Sequence, residues 1–168
     1  VFYTIFEFSL GKIFLAKSSK GLVSAHFLKT DGEVEKAVDF FRKRAVPIER
    51  DEQKLELEKE LFKRYFTGER EDFTSLLLDL TFGTSFQRKV WLEARKIPYG
   101  KTTTYKSLAL KLKHRGFRSI GQAMSKNPLL IVIPCHRVLG SDGNLGGFSA
   151  GLELKKFLLR LEREETPT

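Results

Sequence analysis

TSFQRKVWLEARKIPYGKTTTYKSLALKLKHRGFRSIGQAMS, residues 84–125, decides how the second half of this chain folds. Thr84 or Ser85 is placed to cap a helix through Phe86, Val90, Trp91 and Ala94 to Lys96, because a hydroxyl there satisfies otherwise unpaired backbone amides. Pro98-Tyr99-Gly100 ends that helix. Thr104 to Leu112 reads as a second, with Leu108, Ala109 and Leu112 facing inward. The basic turn Lys113-His114-Arg115-Gly116 leads into a third, from about Arg118 to Ser125. Two short helices joined by a glycine-containing turn make a helix-turn-helix. Gly121, Ala123 and Ser125 keep the third helix slim, so that its backbone can approach a partner closely.

Downstream, Asn127-Pro128 opens onto an apolar run, Leu129 to Ile133, of strand length, and then onto Pro134-Cys135-His136-Arg137. A glycine-rich loop, Gly140 to Gly151, precedes an amphipathic helix from Leu152 to Glu162. Upstream, Phe2 to Ser9, Lys12 to Lys17 and Leu22 to Leu28 read as strands separated by turn signals at Leu10-Gly11 and Ser18 to Gly21, an antiparallel meander. Asp31 to Arg44 and Leu55 to Phe66 follow as helices, the second stopped by Gly68. The chain is therefore expected to hold two domains, residues 1–80 as a structural α+β unit and residues 81–168 as the working half.

Composition narrows the function. At 41% hydrophobic and 30% charged residues, the 168-residue chain is globular and not disordered. No apolar stretch approaches the roughly 20 residues that span a bilayer, and the first ten residues lack a basic, cleavable leader. An intracellular, cytoplasmic protein is expected (nuclear in a eukaryote), with no membrane partner. Residues 1–84 carry 14 Lys and Arg against 15 Asp and Glu, whereas residues 85–168 carry 16 against 6, so the whole net charge of +9 resides in the second half. That asymmetry points to a polyanion-binding face, with nucleic acid the leading candidate.

The one cysteine excludes an internal disulfide and a multi-thiolate zinc site. Cys135 is then either an inert buried side chain or a nucleophile. A nucleophilic role needs the thiolate, and His136 is placed to take the proton directly or through water, with a carboxylate to orient its ring.

Thr84-x-Phe86-Gln87-x-x-Val90-Trp91, Ile97-Pro98-x-Gly100-x-Thr102-x-x-Tyr105, Arg118-x-Ile120-Gly121-x-Ala123-Met124-x-x-Asn127-Pro128, Ile131-x-Ile133-Pro134-Cys135-His136-Arg137-Val138, Gly143-x-Leu145-x-Gly147-Phe148-Ser149-x-Gly151-Leu152 and Lys155-x-x-Leu158-Leu159-x-x-Glu162 together resemble one family. It is the alkylguanine-DNA alkyltransferases, also called methylated-DNA–protein-cysteine methyltransferases. The resemblance is dense over residues 84–162; upstream it extends only to length and to the order of strands before helices. It implies a two-domain α/β fold, with a ribonuclease-H-like N-terminal domain and a winged-helix-like C-terminal domain containing the helix-turn-helix. It also implies double-stranded DNA with alkylated guanine as substrate, no cofactor, and a protein used up in a single transfer; a monomer is expected, and the thiols of the metal site that some relatives carry are missing here. By the family pattern Cys135 accepts the alkyl group, His136 is the base acting through a water, Glu162 orients His136, and Asn127 braces the turn. Tyr105 would donate to guanine N3 and Arg118 would fill the hole in the base stack. Gly121, Ala123, Ser125 and Arg137 would join Tyr105 and Arg118 at the DNA, and Met124, Val138, Phe148 and Ser149 would line the base pocket.

Physical logic supports the pattern independently. The target oxygen of a paired guanine lies inside the duplex, so the nucleotide must rotate out into a pocket. An arginine is long, planar and cationic enough to occupy the gap and meet phosphates. Each residue also has a plainer reading: Tyr105 as a core aromatic, Arg118 as a phosphate clamp, Glu162 as a surface residue paired with Arg163. Phe148 stands where the family usually has tyrosine, which removes a hydroxyl from the pocket wall and bears on substrate range. Three rivals remain at this level: a non-catalytic module that recognises alkylated DNA, a winged-helix regulator, and a cysteine hydrolase. The retained cysteine disfavours the first, and the lack of an accompanying catalytic Asn or Asp motif disfavours the third.

Overall fold

Alternating side chains let the three N-terminal strands form the centre of the first half, in a computed structural model that describes residues 1–146, Phe148 and residues 150–165. β1 (Phe2–Phe8), β2 (Gly11–Ser18) and β3 (Gly21–Leu28) make the expected antiparallel meander. Successive residues of a strand point to opposite faces, and β2 uses both faces. Phe14 and Ala16 pack with Val38 and Phe41 of helix α1 (Gly32–Arg42). Ile13 and Leu15 face the other way, into a core shared with Leu61, Phe62 and Tyr65 of α2 (Glu56–Phe66) and with the second half of the chain.

A two-residue strand, β4 (Glu49–Arg50), runs parallel to β1 and gives the order β3-β2-β1-β4. The sequence offers no alternation there, and Pro47 marks only an interruption. The backbone supplies the pairing, with Glu49 N donating to Val1 O at 3.0 Å. Gly21 has φ +146°, and a Cβ at that position would fall 2.4 Å from Leu77 O. This close approach lets Leu22 N donate to Leu77 O at 2.9 Å, so the segment leading into the second half is tied to β3.

The second half follows from its caps and apolar stripes. α3 (Ser85–Arg95) begins with a capping box, in which Thr84 Oγ1 accepts from Gln87 N at 3.1 Å and Gln87 Oε1 accepts from Thr84 N at 2.9 Å. Val90, Trp91 and Ala94 are buried, and Trp91 Nε1 donates to Ala123 O at 2.8 Å, fixing α3 against α5 (Phe117–Ser125). β5 (Thr103–Thr104) leads directly into α4 (Tyr105–Lys111), capped by Thr104, and β6 (Val138–Leu139) pairs with β5 in parallel. Helices α4 and α5 are the helix-turn-helix, and α6 (Leu152–Glu165) closes the chain. No described helix is long and apolar enough to cross a membrane.

Leu129–Ile133 is a correction to the sequence reading. It forms a tight buried turn instead of a strand, with Ile133 N donating to Leu129 O at 2.9 Å and Ile131 at φ 75°. It contributes only isolated bridges, one of them from Leu129 to Ala25 of β3. All five side chains are buried. Burial on every side gives an apolar run without a period, and periodicity cannot assign such a run.

Candidate functional site

That buried turn delivers Cys135. Pro134 follows it, and Cys135–Arg137 form one 3₁₀ turn in which Cys135 N donates to Ile133 O at 2.8 Å. Asn127 braces both sides: its Nδ2 donates to Ile133 O at 2.7 Å and to Cys135 Sγ at 3.2 Å, while its Oδ1 accepts from Leu129 N at 2.9 Å. The three bonds use an otherwise costly buried amide to fix the turn.

Behind the thiol lies a second centre. His136 Nε2 sits 2.5 Å from Glu162 Oε2, which also accepts from Tyr65 OH at 2.6 Å and Arg137 Nη2 at 3.0 Å. Oε1 accepts from Arg137 Nε at 2.8 Å and from Gly100 N at 3.1 Å. Glu162 is 1% exposed, so the surface pairing with Arg163 does not describe it. Burial acts to raise its carboxyl, but the hydrogen bonds from His136 and Arg137, with the Arg137 charge, overcome that and hold it well below the usual carboxylate range. Burial lowers the His136 pKa in spite of the opposing pull of Glu162, so the imidazole is neutral. A carboxylate cannot donate, so the neutral ring carries its proton on Nε2. Its Nδ1 is left as an acceptor, buried and without a hydrogen-bond partner among the described residues.

Cys135 Sγ makes no direct hydrogen bond to the His136 ring; its side-chain partner is Asn127. Burial pushes the thiol up to about 11, against the lowering exerted by the Asn127 bond and the Lys155 ammonium. The resting cysteine is thus a thiol. Lys155 is itself fully buried on α6, donating to Val138 O at 2.8 Å and also to Leu145 O. Cys135 opens onto a cleft of about 490 Å³ whose walls include Tyr105, Arg118, Gly121, Met124, Ser125 and Phe148. Tyr105 is half-buried, and burial together with the nearby Cys135 raises its pKa, keeping it a phenol that can donate. Arg118 is exposed near the start of α5, and beyond its chain neighbours and its own helix backbone nothing lies within 4 Å of where a Gly121 Cβ would stand, so the slim outer face is real at that position. Among the described residues no cluster of three or more His, Cys, Asp or Glu side chains is placed to hold a metal ion.

Two expected DNA contacts are corrected. Arg137 is 4% exposed, and its guanidinium is committed to Glu162 and, through Nη1, to Ile97 O at 2.7 Å. Ala123 is 3% exposed and faces the α3–α5 contact, so its small size serves helix packing. Ser125 stays at the cleft, its Oγ donating to Gln122 O at 2.7 Å. The Val138 side chain is buried, and its carbonyl meets Lys155. Ser149 lies outside the described residues. Sequence reasoning gave no role to Lys155, although a lysine in register with Leu158, Leu159 and Glu162 on an apolar helix face was a visible signal. Tyr65 gave no such signal, since an aromatic residue on the apolar stripe of a helix is ordinary core.

A buried, braced thiol lies beside a neutral histidine–carboxylate pair, at the foot of a cleft walled by a helix-turn-helix, an arrangement able to carry a nucleophile on a nucleic-acid-binding scaffold. The family described as 6-O-methylguanine DNA methyltransferase, ribonuclease-like domain, matches residues 1–80, and the DNA binding domain of the same family matches residues 85–164. The chain is 42% identical over 169 residues to the methylated-DNA–protein-cysteine methyltransferase of Methanosarcina barkeri, covering 96% of this chain and 97% of the relative. It is 42% identical over 143 residues to that of Haemophilus influenzae, covering 80% and 78%. Among solved structures it resembles Mycobacterium tuberculosis OGT in complex with DNA, with a TM-score of 0.83 at 31% identity over 99% of this chain and 96% of that one. The O6-methylguanine-DNA methyltransferase of Pyrococcus kodakaraensis gives 0.72 at 27% identity, over 96% and 98%. The chain belongs to the 6-O-methylguanine-DNA methyltransferase family.

Two outcomes follow from the geometry. Arg137→Ala leaves a buried carboxylate short of its cation and should cost about 3–5 kcal/mol in urea unfolding, while DNA affinity at fixed salt stays near wild type. The stabilisation from the low Glu162 pKa is present above about pH 4.3 and lost as pH falls through the lower folded value, so the variant should also show a flatter acid dependence. A stable variant that loses DNA affinity would restore Arg137 to the DNA. The second outcome concerns the thiol: iodoacetamide capture of Cys135 in the free protein should rise about tenfold per pH unit from about pH 7 to about pH 10, because only the thiolate reacts. A plateau near the ordinary thiol value of about 8.5 would contradict the raised pKa.

Proposed function

We propose that residues 81–168 bind duplex DNA, draw an alkylated guanine into the cleft and transfer its alkyl group irreversibly to Cys135, with residues 1–80 as the N-terminal α+β domain. The observation that carries the reading is Cys135 itself, the lone thiol, braced by Asn127 and opening onto the cleft beneath α5. In the transfer the S–C bond forms as the bond from carbon to the position-6 oxygen breaks. The electron pair of that bond goes to the guanine, and the thiol proton goes to His136 Nδ1, through water because no direct bond joins ring and sulfur. Tyr105 gives its phenol proton to the departing base at N3, so that it leaves neutral, and the sulfur proton then passes from the His136 imidazolium through solvent to the Tyr105 phenolate, restoring both side chains. Glu162 stabilises the imidazolium that forms meanwhile. A thiol raised to about 11 is stable toward other electrophiles until this relay engages.

Arg118, at the exposed start of α5, enters the stack vacated by the flipped nucleotide, and Gly121 allows the close approach that a minor groove demands. Met124, Phe148, Val138 and Ser149 hold the base. The protein acts as a monomer, without cofactor, inside the cell where the DNA is.

Incubation with duplex containing O6-methylguanine, followed by intact-mass and peptide analysis, should show one methyl per chain, on Cys135, and none in Cys135→Ser, which still binds DNA. Repeated turnover would overturn the reading. Arg118→Ala should slow transfer from duplex by about tenfold or more while sparing the free alkylated base, which needs no flipping. Equal loss on both would make Arg118 structural. Binding should weaken steeply with salt as phosphate counterions are released.

A further inference from the structure

The carboxylate behind Cys135 is completed from the other half of the chain. Tyr65 lies on α2, fully buried, and its hydroxyl meets Glu162 Oε2 at 2.6 Å across a separation of 97 residues. We propose that Tyr65 is a positioning residue of the alkyl-transfer site, its hydroxyl donating to the same carboxylate oxygen that faces His136 Nε2 and so governing how firmly Glu162 holds the histidine proton. The proposal rests on the reading of Cys135 and His136 as the transfer pair, and it deepens that reading by giving the N-terminal half a part in the chemistry.

The packing of the ring and the bond of the hydroxyl are separable. The Tyr65 ring sits against Phe66 at 5.4 Å, Phe73 at 5.8 Å and Tyr99 at 6.1 Å between centroids, contacts that a phenylalanine would keep. The hydroxyl is therefore not needed to fill space. It goes to the oxygen that also meets His136 and Arg137 Nη2, while Arg137 Nε and Gly100 N donate to Oε1. Burial and the neighbouring Glu162 charge raise the Tyr65 pKa well above its ordinary value, so the group is a donor throughout the working range.

An oxygen shared among three donors offers each less negative charge than an oxygen shared between two. With the phenol present, Glu162 supports a neutral His136 in its Nε2–H form without drawing a second proton onto the ring. Without it, the imidazolium gains stability, His136 becomes more basic, and a ring protonated before the thiol arrives cannot accept the thiol proton. The other groups around the pair are Arg137 on the same turn, Tyr99 from the loop after α3, and Cys135 and Lys155 on the cleft side. Arg70 stands over the far ring, 5.5 Å from the Tyr99 centroid, and Asp72 interacts with Arg137.

The test uses the full chain with labelled histidine side chains, read by NMR alongside the pH profile of single-turnover transfer. In Tyr65→Phe the His136 titration should move upward by about half a pH unit or more. The acid limb of the transfer profile should move with it, and the final yield should remain one methyl per chain. Placing 3-fluorotyrosine at position 65 strengthens the donor and should move both in the opposite direction. That arm also answers the question if Tyr65→Phe does not fold. A wild-type chain that takes up no methyl overturns the functional reading beneath the proposal. A chain that takes it up, but whose His136 titrates identically in the folded Tyr65 variants, overturns the proposal alone.

Discussion

Hydrogen bonds from α2, from the loop after α3 and from both residues that follow Cys135 converge on the carboxylate of Glu162. A buried carboxylate is tolerated only when its charge and lone pairs are met. Meeting them here fixes the C-terminal helix, the cysteine turn and the N-terminal half relative to one another. Arg137 balances the charge, which leaves Glu162 able to hold a neutral histidine without becoming neutral itself. The spatial relation of cleft, thiol and base depends on that one group.

The thiol is kept in the opposite condition. Burial leaves Cys135 protonated, and the Asn127 amide and the nearby Lys155 ammonium offset the desolvation only in part. Under the proposed single transfer, a thiol that is quiet in its resting state is an advantage, since an adventitious alkylation would consume it as surely as a productive one. The geometry achieves this by separating sulfur from imidazole, so that proton transfer depends on an assembled path.

Much of this was legible in the sequence because it rests on local rules. Runs rich in Phe, Ile, Leu and Val between turn signals gave the three strands, a capping hydroxyl at Thr84 or Ser85 gave the start of α3, and Gly68 gave the end of α2. Cys135, His136, Asn127 and Glu162 were visible through spacing and family likeness, and the structure brings all four together. The misses share one cause. The Leu129–Ile133 turn, the inward Ala123 and the ion-paired Arg137 are set by what surrounds them in space, and an arginine reads the same in sequence whether it meets a phosphate or a buried carboxylate. Tyr65 is the sharpest case, because its partner lies 97 residues away and its pattern is that of ordinary core.

The claim on which the rest depends is that Glu162 is a charged, fully satisfied carboxylate inside the folded protein. It is tested by following the ¹³C shift of the Glu162 side-chain carboxyl as pH is lowered on the intact chain. The account predicts no inflection through the ordinary glutamate range near pH ~4.3, with the signal holding its ionised value for as long as the protein stays folded. A titration of the folded chain centred near that ordinary value would show that His136 and Arg137 do not hold the carboxylate, and would contradict the account.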